Sequence, residues 1–403
     1  MKLDLYTKSV LTVIAVALCA IALQNVKVIS EAQAQDVWPT ATPSEVGLDV
    51  EALDAFETDI VQGKYGYVDS ILVIRHGKVA FERYYEHDYS AIYAEEARTP
   101  GPLVVNDPSG PYNYFNSWWH PYYRRGDLHT MQSVTKSVVS AVIGIAIGRS
   151  EFPSLDTPVL SFFDAEKVAN VDERKEAMTL RHLLTMSTGL DWNEVVPYAD
   201  PTNTSTIMQA SPDWVQYTLD RPMAEMPGEL FNYNTGATLI LGHIFRLATG
   251  VDLEEYAVQH LFAPIGIENY MWKRTPRGLP SADEGLYVTS RDIAKIAYLY
   301  LKGGEWQGQQ VVPEEWVEAS VKPSVSVLPN RAIEYGYKWW LYRYQHDGED
   351  RVAFAGAGFG GQRPIVLPEL GIVIVATGWN ILPNRPILTA EVAIERILEA
   401  VTE

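Results

Sequence analysis

Ser133 and Lys136 stand three residues apart in His129-Thr-Met-Gln-Ser133-Val-Thr-Lys136-Ser137, and Ser133 is the only serine in the chain with lysine at that spacing. On a helix, an i, i+3 pair shares one face. An apolar run of Val138, Val139, Ala141, Val142 and Ile143 follows. Free N–H groups and the dipole at a helix start favour developing negative charge. Serine is a weak nucleophile at neutral pH and needs a neighbouring base. Lys136 fills that role if the apolar run and nearby groups lower its pKa. A capping serine followed by a surface lysine would look the same, so the pair needs context.

Two further segments supply it. Phe231-Asn-Tyr233-Asn-Thr235-Gly236 falls at a loop-to-helix junction, and Phe354-Ala-Gly-Ala-Gly-Phe359-Gly-Gly-Gln362 enters a strand pair. Tyr233 taken alone also reads as a core tyrosine flanking a helix with its hydroxyl satisfied. An aromatic loop, Tyr112 to Tyr123, ends shortly before Ser133 and contains Trp118 and Trp119. It is expected to line an acyl pocket or form a lid, with self-packing as the alternative. Trp339 and Trp340 are expected to pack on a sheet, outside the site.

Composition narrows the possibilities. The chain has 403 residues and a net charge of −19 from 32 basic and 51 acidic side chains, with 47% hydrophobic residues. This allows a sizeable core and argues against a nucleic-acid partner, which needs concentrated Lys and Arg. Cys19 is the single cysteine and sits in the N-terminal apolar segment, so no disulfide or thiolate chemistry is expected of the rest. The eight histidines show no H-x-H or H-E-x-x-H spacing, and no metal or other cofactor is expected. Lys2 and Lys8 precede an apolar run from Ser9 to Leu23, and Ala32-Gln33-Ala34 offers a cleavage pattern. Residues 1–34 thus read as a signal peptide, implying a periplasmic or extracellular protein. The alternative is an uncleaved N-terminal membrane anchor; without it no stable membrane partner is expected.

Apolar periodicity predicts a helix over Leu48–Ile60 and a hairpin of Ser70–Arg75 with Val79–Tyr84, followed by a long loop over 88–127. Helical spacing dominates from Ser133 to about Val321, notably at Ser133–Ile147, Thr235–Ala248 and Arg291–Leu301. Strands return at Gly336–Tyr344, Val352–Ala355, Gln362–Leu367 and Gly371–Thr377, and a helix over Leu388–Ala400 ends the chain. The expected class is α+β: an antiparallel sheet built from both chain ends and flanked by helices, plus a mostly helical lobe. Within residues 35–403, the sheet lobe is expected over about 45–130 and 325–403 and the helical lobe over about 131–324.

Serine–lysine helix, tyrosine loop and glycine-rich strand occur here in the order of the serine β-lactamases and penicillin-binding proteins. Ser154-Leu-Asp-Thr-Pro158, Thr179-Leu-Arg-His-Leu-Leu-Thr-Met-Ser-Thr-Gly189 and Tyr335-Gly-Tyr-Lys-Trp-Trp340 look like the same superfamily. The chain most resembles its class C-like serine hydrolases, the esterases and 6-aminohexanoate-dimer hydrolases, from about Trp38 onward. The resemblance implies a β-lactamase/transpeptidase-like fold in which Ser133 is acylated, Lys136 is the base and Tyr233 relays a proton to the leaving group. It implies an oxyanion hole from the backbone N–H groups of Ser133 and Phe359, with Thr235, Trp118, Trp119, Gly358 and Gly360 near the substrate. Two departures shape the expected substrate. Thr235 stands where the second motif has Asn, and Gly356 stands where the third has a carboxylate-binding cation. A small neutral ester or amide is therefore expected ahead of a β-lactam or a D-Ala-D-Ala peptide. A non-catalytic binding protein on the same fold is the remaining alternative.

Overall fold

The computed structural model describes residues 38–105, 107, 109–327 and 333–402, so the segment 1–34 read as a signal peptide lies outside the described residues. The chain divides into Met1–Thr40 and Ala41–Glu403, and the second unit carries everything that follows. The strands of its two larger sheets are β1 (Val68–Arg75), β2 (Lys78–Tyr84), β3 (His129–Thr130), β4 (Met271–Trp272), β5 (Leu286–Val288), β6 (Val325–Ser326), β7 (Ile333–Tyr335), β8 (Trp340–His346), β9 (Glu349–Ala355), β10 (Arg363–Leu367) and β11 (Ile372–Gly378). The helices that matter for the site are α1 (Val50–Val61), α2 (Thr135–Gly148), α3 (Thr235–Thr249), α4 (Ser290–Leu301) and α5 (Ala390–Ala400).

Eight strands form one sheet in the order β2-β1-β11-β10-β9-β8-β7-β6. The chain ends meet where β1 pairs antiparallel with β11, from Val68 opposite Gly378 to Arg75 opposite Ile372. His76 and Gly77, both with positive φ, join β1 to β2 in the two-residue turn that matches strand twist. Ile71, Val73, Ile365 and Ile374 face Leu53 and Phe56 of α1 and Ile394 and Ile397 of α5. The alternate residues Leu72, Ile74, Val373 and Val375 are buried too, because α4 packs on the opposite side against β10 and β11. Burial on both faces explains why these strands read as unbroken apolar runs.

The sheet built from both ends agrees with the sequence reading, but the helical stretch over 131–324 is not one separate lobe. Within it, α4 belongs to the sheet, and β3, β5 and β4 form a small second sheet that holds the segment before Ser133. The strand expected from Gly336 begins only at Trp340. Lys338 is the cause: it adopts φ 66° and sends its side chain inward to the Leu183 carbonyl at 2.5 Å.

Helix α2 is buried along almost its whole length. Its Gly144 sits where an added Cβ would lie 2.3 Å from the Trp316 indole, so the glycine lets that ring approach the helix backbone. Mid-helix glycine costs about 1 kcal/mol relative to alanine, whereas overpacking a core costs about 1–3 kcal/mol. Gly144→Ala is therefore expected to destabilise the protein by about 1–2 kcal/mol despite its better helix propensity. Urea unfolding that shows Gly144→Ala more stable than the parent would contradict this packing account.

Candidate active site

The small sheet delivers the nucleophile segment. His129 pairs with Val288 and Thr130 with Tyr287, and the Met131 amide donates to the Leu286 carbonyl at 2.8 Å. His129 Nε2 meets Asp69 Oδ2 of β1 at 2.9 Å, tying the segment to the main sheet. A single 3₁₀ turn, Gln132–Val134, then leads into α2, so Ser133 lies on the turn and the α-helix begins at Thr135. Gln132 holds φ 48°, a left-handed conformation that costs a non-glycine residue roughly 1–3 kcal/mol. Its side-chain amide is anchored on Thr130 Oγ1 at 2.8 Å.

Lys136 is 1% exposed. Its Nζ donates to Ser133 Oγ at 2.9 Å and to the Asp283 carbonyl at 2.8 Å, and lies 5.3 Å from the centre of the Tyr233 ring. Burial is the largest influence on the Lys136 pKa and pulls it down, but Tyr233, Asp283 and Glu194 together outweigh it. The ammonium is therefore held above its ordinary range at rest. This corrects the expectation of a lowered lysine pKa: the apolar run acts as foreseen, but the acidic and phenolic neighbours were not visible in sequence. Burial likewise pushes the Tyr233 hydroxyl up, against Lys136, which favours the phenolate. The Tyr233 ring stacks on Trp340, with centroids 5.8 Å apart and planes at 26°. Trp340, expected to serve only the sheet, thus orients the tyrosine.

The glycine-rich segment between β9 and β10 brings in Phe359. An added Cβ on Gly358 would lie 2.5 Å from the Met131 carbonyl, so this turn presses directly on the backbone two residues before Ser133. Gly360 has φ 90° and its carbonyl accepts the Asn380 amide at 2.9 Å. Gly358 and Gly360, expected near substrate, instead shape the turn that presents Phe359. Among the described residues, neither the Ser133 N–H nor the Phe359 N–H has an acceptor, as an oxyanion hole requires before substrate arrives.

Thr235 does border the cavity at Ser133, but its hydroxyl is already committed. It donates to Glu194 Oε1 at 2.5 Å, while its amide donates to Glu194 Oε2 at 2.9 Å. Trp192 Nε1 and the Tyr198 hydroxyl complete the donors around this carboxylate, each at 2.7 Å. Trp118 and Trp119 are not at the site. Trp118 is 52% exposed, and Trp119 turns its indole N–H to the Ser109 carbonyl at 2.8 Å. The aromatic loop contributes Tyr114 and Leu103 to the cavity instead. The loop that carries Trp118 and Trp119 thus reaches the cavity through other residues than the two tryptophans.

The cavity beside Ser133 and Lys136 is tight, closed in by Leu103, Tyr114, Tyr198 and Phe359. Its far wall includes Glu284, paired with Lys273 Nζ at 2.9 Å and accepting the Tyr114 hydroxyl at 2.7 Å. Next to it, Asp283 is pushed up to about 6 by burial and by Glu284. Sequence reasoning missed Glu194, Asp283 and Glu284. The adjacent acids of Ser281-Ala-Asp283-Glu284-Gly-Leu-Tyr-Val, leading into an apolar strand, were a readable sign of buried carboxylates; Glu194 in its polar loop gave none.

Comparison with known proteins agrees with this geometry. The beta-lactamase family model matches residues 54–393. The chain is 25% identical over 279 residues to the 6-aminohexanoate-dimer hydrolase of Paenarthrobacter ureafaciens, covering 63% of this chain and 68% of that protein. The structure provisionally assigned as a 6-aminohexanoate-dimer hydrolase from Bacillus anthracis superposes with TM-score 0.63 at 21% identity, covering 90% of this chain and 86% of that one. EstCE1, a hydrolase with promiscuous acyltransferase activity, superposes with TM-score 0.60 at 16% identity over 87% and 97% of the two chains. With a fold that both structures share and a family model spanning most of its length, this chain belongs to the beta-lactamase family and is an enzyme of the serine-hydrolase type.

Proposed function

We propose that this enzyme hydrolyses small neutral esters or amides through an acyl-enzyme on Ser133, as an exported protein. The observation that carries the reading is the contact of Lys136 Nζ with Ser133 Oγ at 2.9 Å, with the Ser133 and Phe359 N–H groups lacking acceptors among the described residues. In the first step Ser133 Oγ bonds to the substrate carbonyl carbon and its proton passes to the free amine of Lys136. The carbonyl oxygen becomes an oxyanion received by the Ser133 and Phe359 amides. As the tetrahedral adduct collapses, the Tyr233 hydroxyl hands a proton to the departing alcohol or amine and is reprotonated from Lys136. Water then attacks the acyl-enzyme by the reverse relay and frees the acid.

Neutral substrates fit better than β-lactams or carboxylate-ended peptides. Gly356 has no room for the family's cation, since an added Cβ would already meet Pro364 at 3.0 Å and Val134 at 3.3 Å. The Arg363 guanidinium nearby is spent on the carbonyls of Gly358 and Gln362, both at 2.8 Å. A second reading, transfer of the acyl group to an alcohol in place of water, uses the same intermediate. It draws support from the likeness to EstCE1 and from the aromatic rings of Tyr114, Tyr198 and Phe359 that screen Ser133.

Three outcomes test the reading. Ser133→Ala should abolish turnover of p-nitrophenyl esters, and a fluorophosphonate adduct should map to the Ser133 peptide in the parent; full activity in the variant would place the nucleophile elsewhere. Because only free-amine Lys136 accepts the proton and its pKa is raised, kcat/KM should climb about tenfold per pH unit from pH 6 toward pH 9. A plateau already reached at pH 7 would contradict a raised Lys136 pKa. Glu194→Gln removes one of the charges that hold the ammonium, so the same limb should move to lower pH, by up to about one unit; a shift to higher pH would reverse the assigned sign.

A further inference from the structure

Lys338 breaks two local rules at once. It is 2% exposed, and it holds φ 66°, a left-handed conformation that is costly for any residue with a side chain. Its Nζ donates to the Leu183 carbonyl at 2.5 Å and to Met186 Sδ at 3.4 Å. Among the described residues these are the nitrogen's only partners, as many as an uncharged amine has N–H groups. Burial drives its pKa well down, and the charge of Lys136 adds to this against the pull of Glu194. A methionine would fill such a space without burying an amine.

The contacts of that amine lead to Tyr233. Met186 is fully buried and also left-handed, at φ 56°. Its carbonyl accepts the Asn232 amide at 2.8 Å, and its Sδ accepts the Asn234 amide at 3.4 Å. Tyr233 therefore hangs between two amides that both end on one methionine. Asn234 in turn starts α3, its Oδ1 accepting the Ala237 amide at 3.0 Å. The backbone of Lys338 reaches the other half of the site, because its carbonyl accepts the hydroxyl of Ser137, the residue after Lys136, at 2.7 Å. Two residues further along the chain, Trp340 stacks on the Tyr233 ring. Lys338 thus joins the helix of the base, the brace of the tyrosine and the strand that carries its stacking partner.

We propose, building on the hydrolase reading above, that Lys338 is a positioning residue for Tyr233. Its amine, anchored on the Leu183 carbonyl, holds the Met186 thioether against the Asn234 amide and so fixes where the Tyr233 hydroxyl meets the leaving group. An uncharged amine suits this place, because a second ammonium would repel Lys136. A thioether is a weak acceptor on a side chain with three rotatable bonds, so without the amine the methionine is free to turn. Lys338 acts through the tyrosine, which protonates the leaving group. Its loss is therefore felt most where that proton is needed most, and least for a leaving group that departs as a stable anion.

Three acetate esters with leaving groups of rising pKa test this on the purified full chain: p-nitrophenyl, phenyl and ethyl acetate. Active sites are counted with the fluorophosphonate, so a smaller folded fraction does not enter the rates. In Lys338→Met the loss in kcat/KM should grow along the series. It should reach about tenfold or more for ethyl acetate relative to p-nitrophenyl acetate, as expected of a displaced general acid. Met186→Leu, close in size but without the sulfur, should steepen the series in the same direction. That variant decides the matter if Lys338→Met does not fold. Both changes together should alter the ratio no more than the larger one alone, because they break one chain of contacts. Equal losses on all three esters, or no loss, overturn the positioning role while leaving the hydrolase reading standing. No turnover of any ester by the parent, together with no labelling of Ser133, overturns both.

Discussion

One positive charge with almost no access to water sets the terms for everything around Ser133. An ammonium as buried as Lys136 survives only if acceptors replace its hydration shell. The structure supplies the Ser133 hydroxyl, a carbonyl from the Asp283 segment, the face of Tyr233 and the field of Glu194. Each comes from a different stretch of chain, so the charge holds them in register. A second buried lysine, Lys338, shows the opposite resolution. Burial, with Lys136 adding to it, drives its pKa well down, and its nitrogen settles against a backbone carbonyl. Two lysines in one interior thus take opposite protonation tendencies: Tyr233, Asp283 and Glu194 together outweigh burial at Lys136, whereas at Lys338 Glu194 alone opposes burial and the Lys136 charge.

The arrangement explains why the surroundings of the nucleophile are stiff. Ser133 sits between a left-handed residue, Gln132, and a helix whose interior positions are nearly all buried. On its other side the Gly358 turn leaves no space for a side chain. Strain at Gln132 is maintained by packing on both sides. The same packing leaves the Ser133 and Phe359 amides without partners among the described residues, the kind of preorganisation that oxyanion binding needs.

How much of this could be read from sequence varies with the kind of signal. The sheet from both ends was legible because β1 and β11 are buried on both faces and read as continuous apolar runs. Ser133, Lys136, Tyr233 and Phe359 come together because their chemistry imposes residue types at set spacings or within glycine-rich turns. The substrate-side residues were not legible in that way. Trp118 and Trp119, expected near substrate from the aromatic loop, do not line the cavity, whereas Tyr114 of the same loop does. Glu194 acts through tertiary neighbours alone, and nothing local distinguishes it from other polar loop residues. The direction of the Lys136 pKa failed for the same reason: apolar neighbours are visible along the chain, whereas carboxylates arriving from residues 194 and 283 are not.

The pairing of β1 with β11 has a consequence for how the enzyme comes into being. Val68 finds its partner only at Gly378, near the end of the polypeptide. Until that strand has been synthesised, β1 and β2 form an isolated hairpin, which is marginal in water, and closing so long a loop comes late in folding. Phe359 and Trp340 arrive with the same late segment. The Ser133–Lys136 pair is therefore made well before its proposed oxyanion partner Phe359 and before Trp340, on which Tyr233 stacks. Competence is gained in one final closure, so a fragment released early by the ribosome, or clipped before Gly378, is a serine without an enzyme.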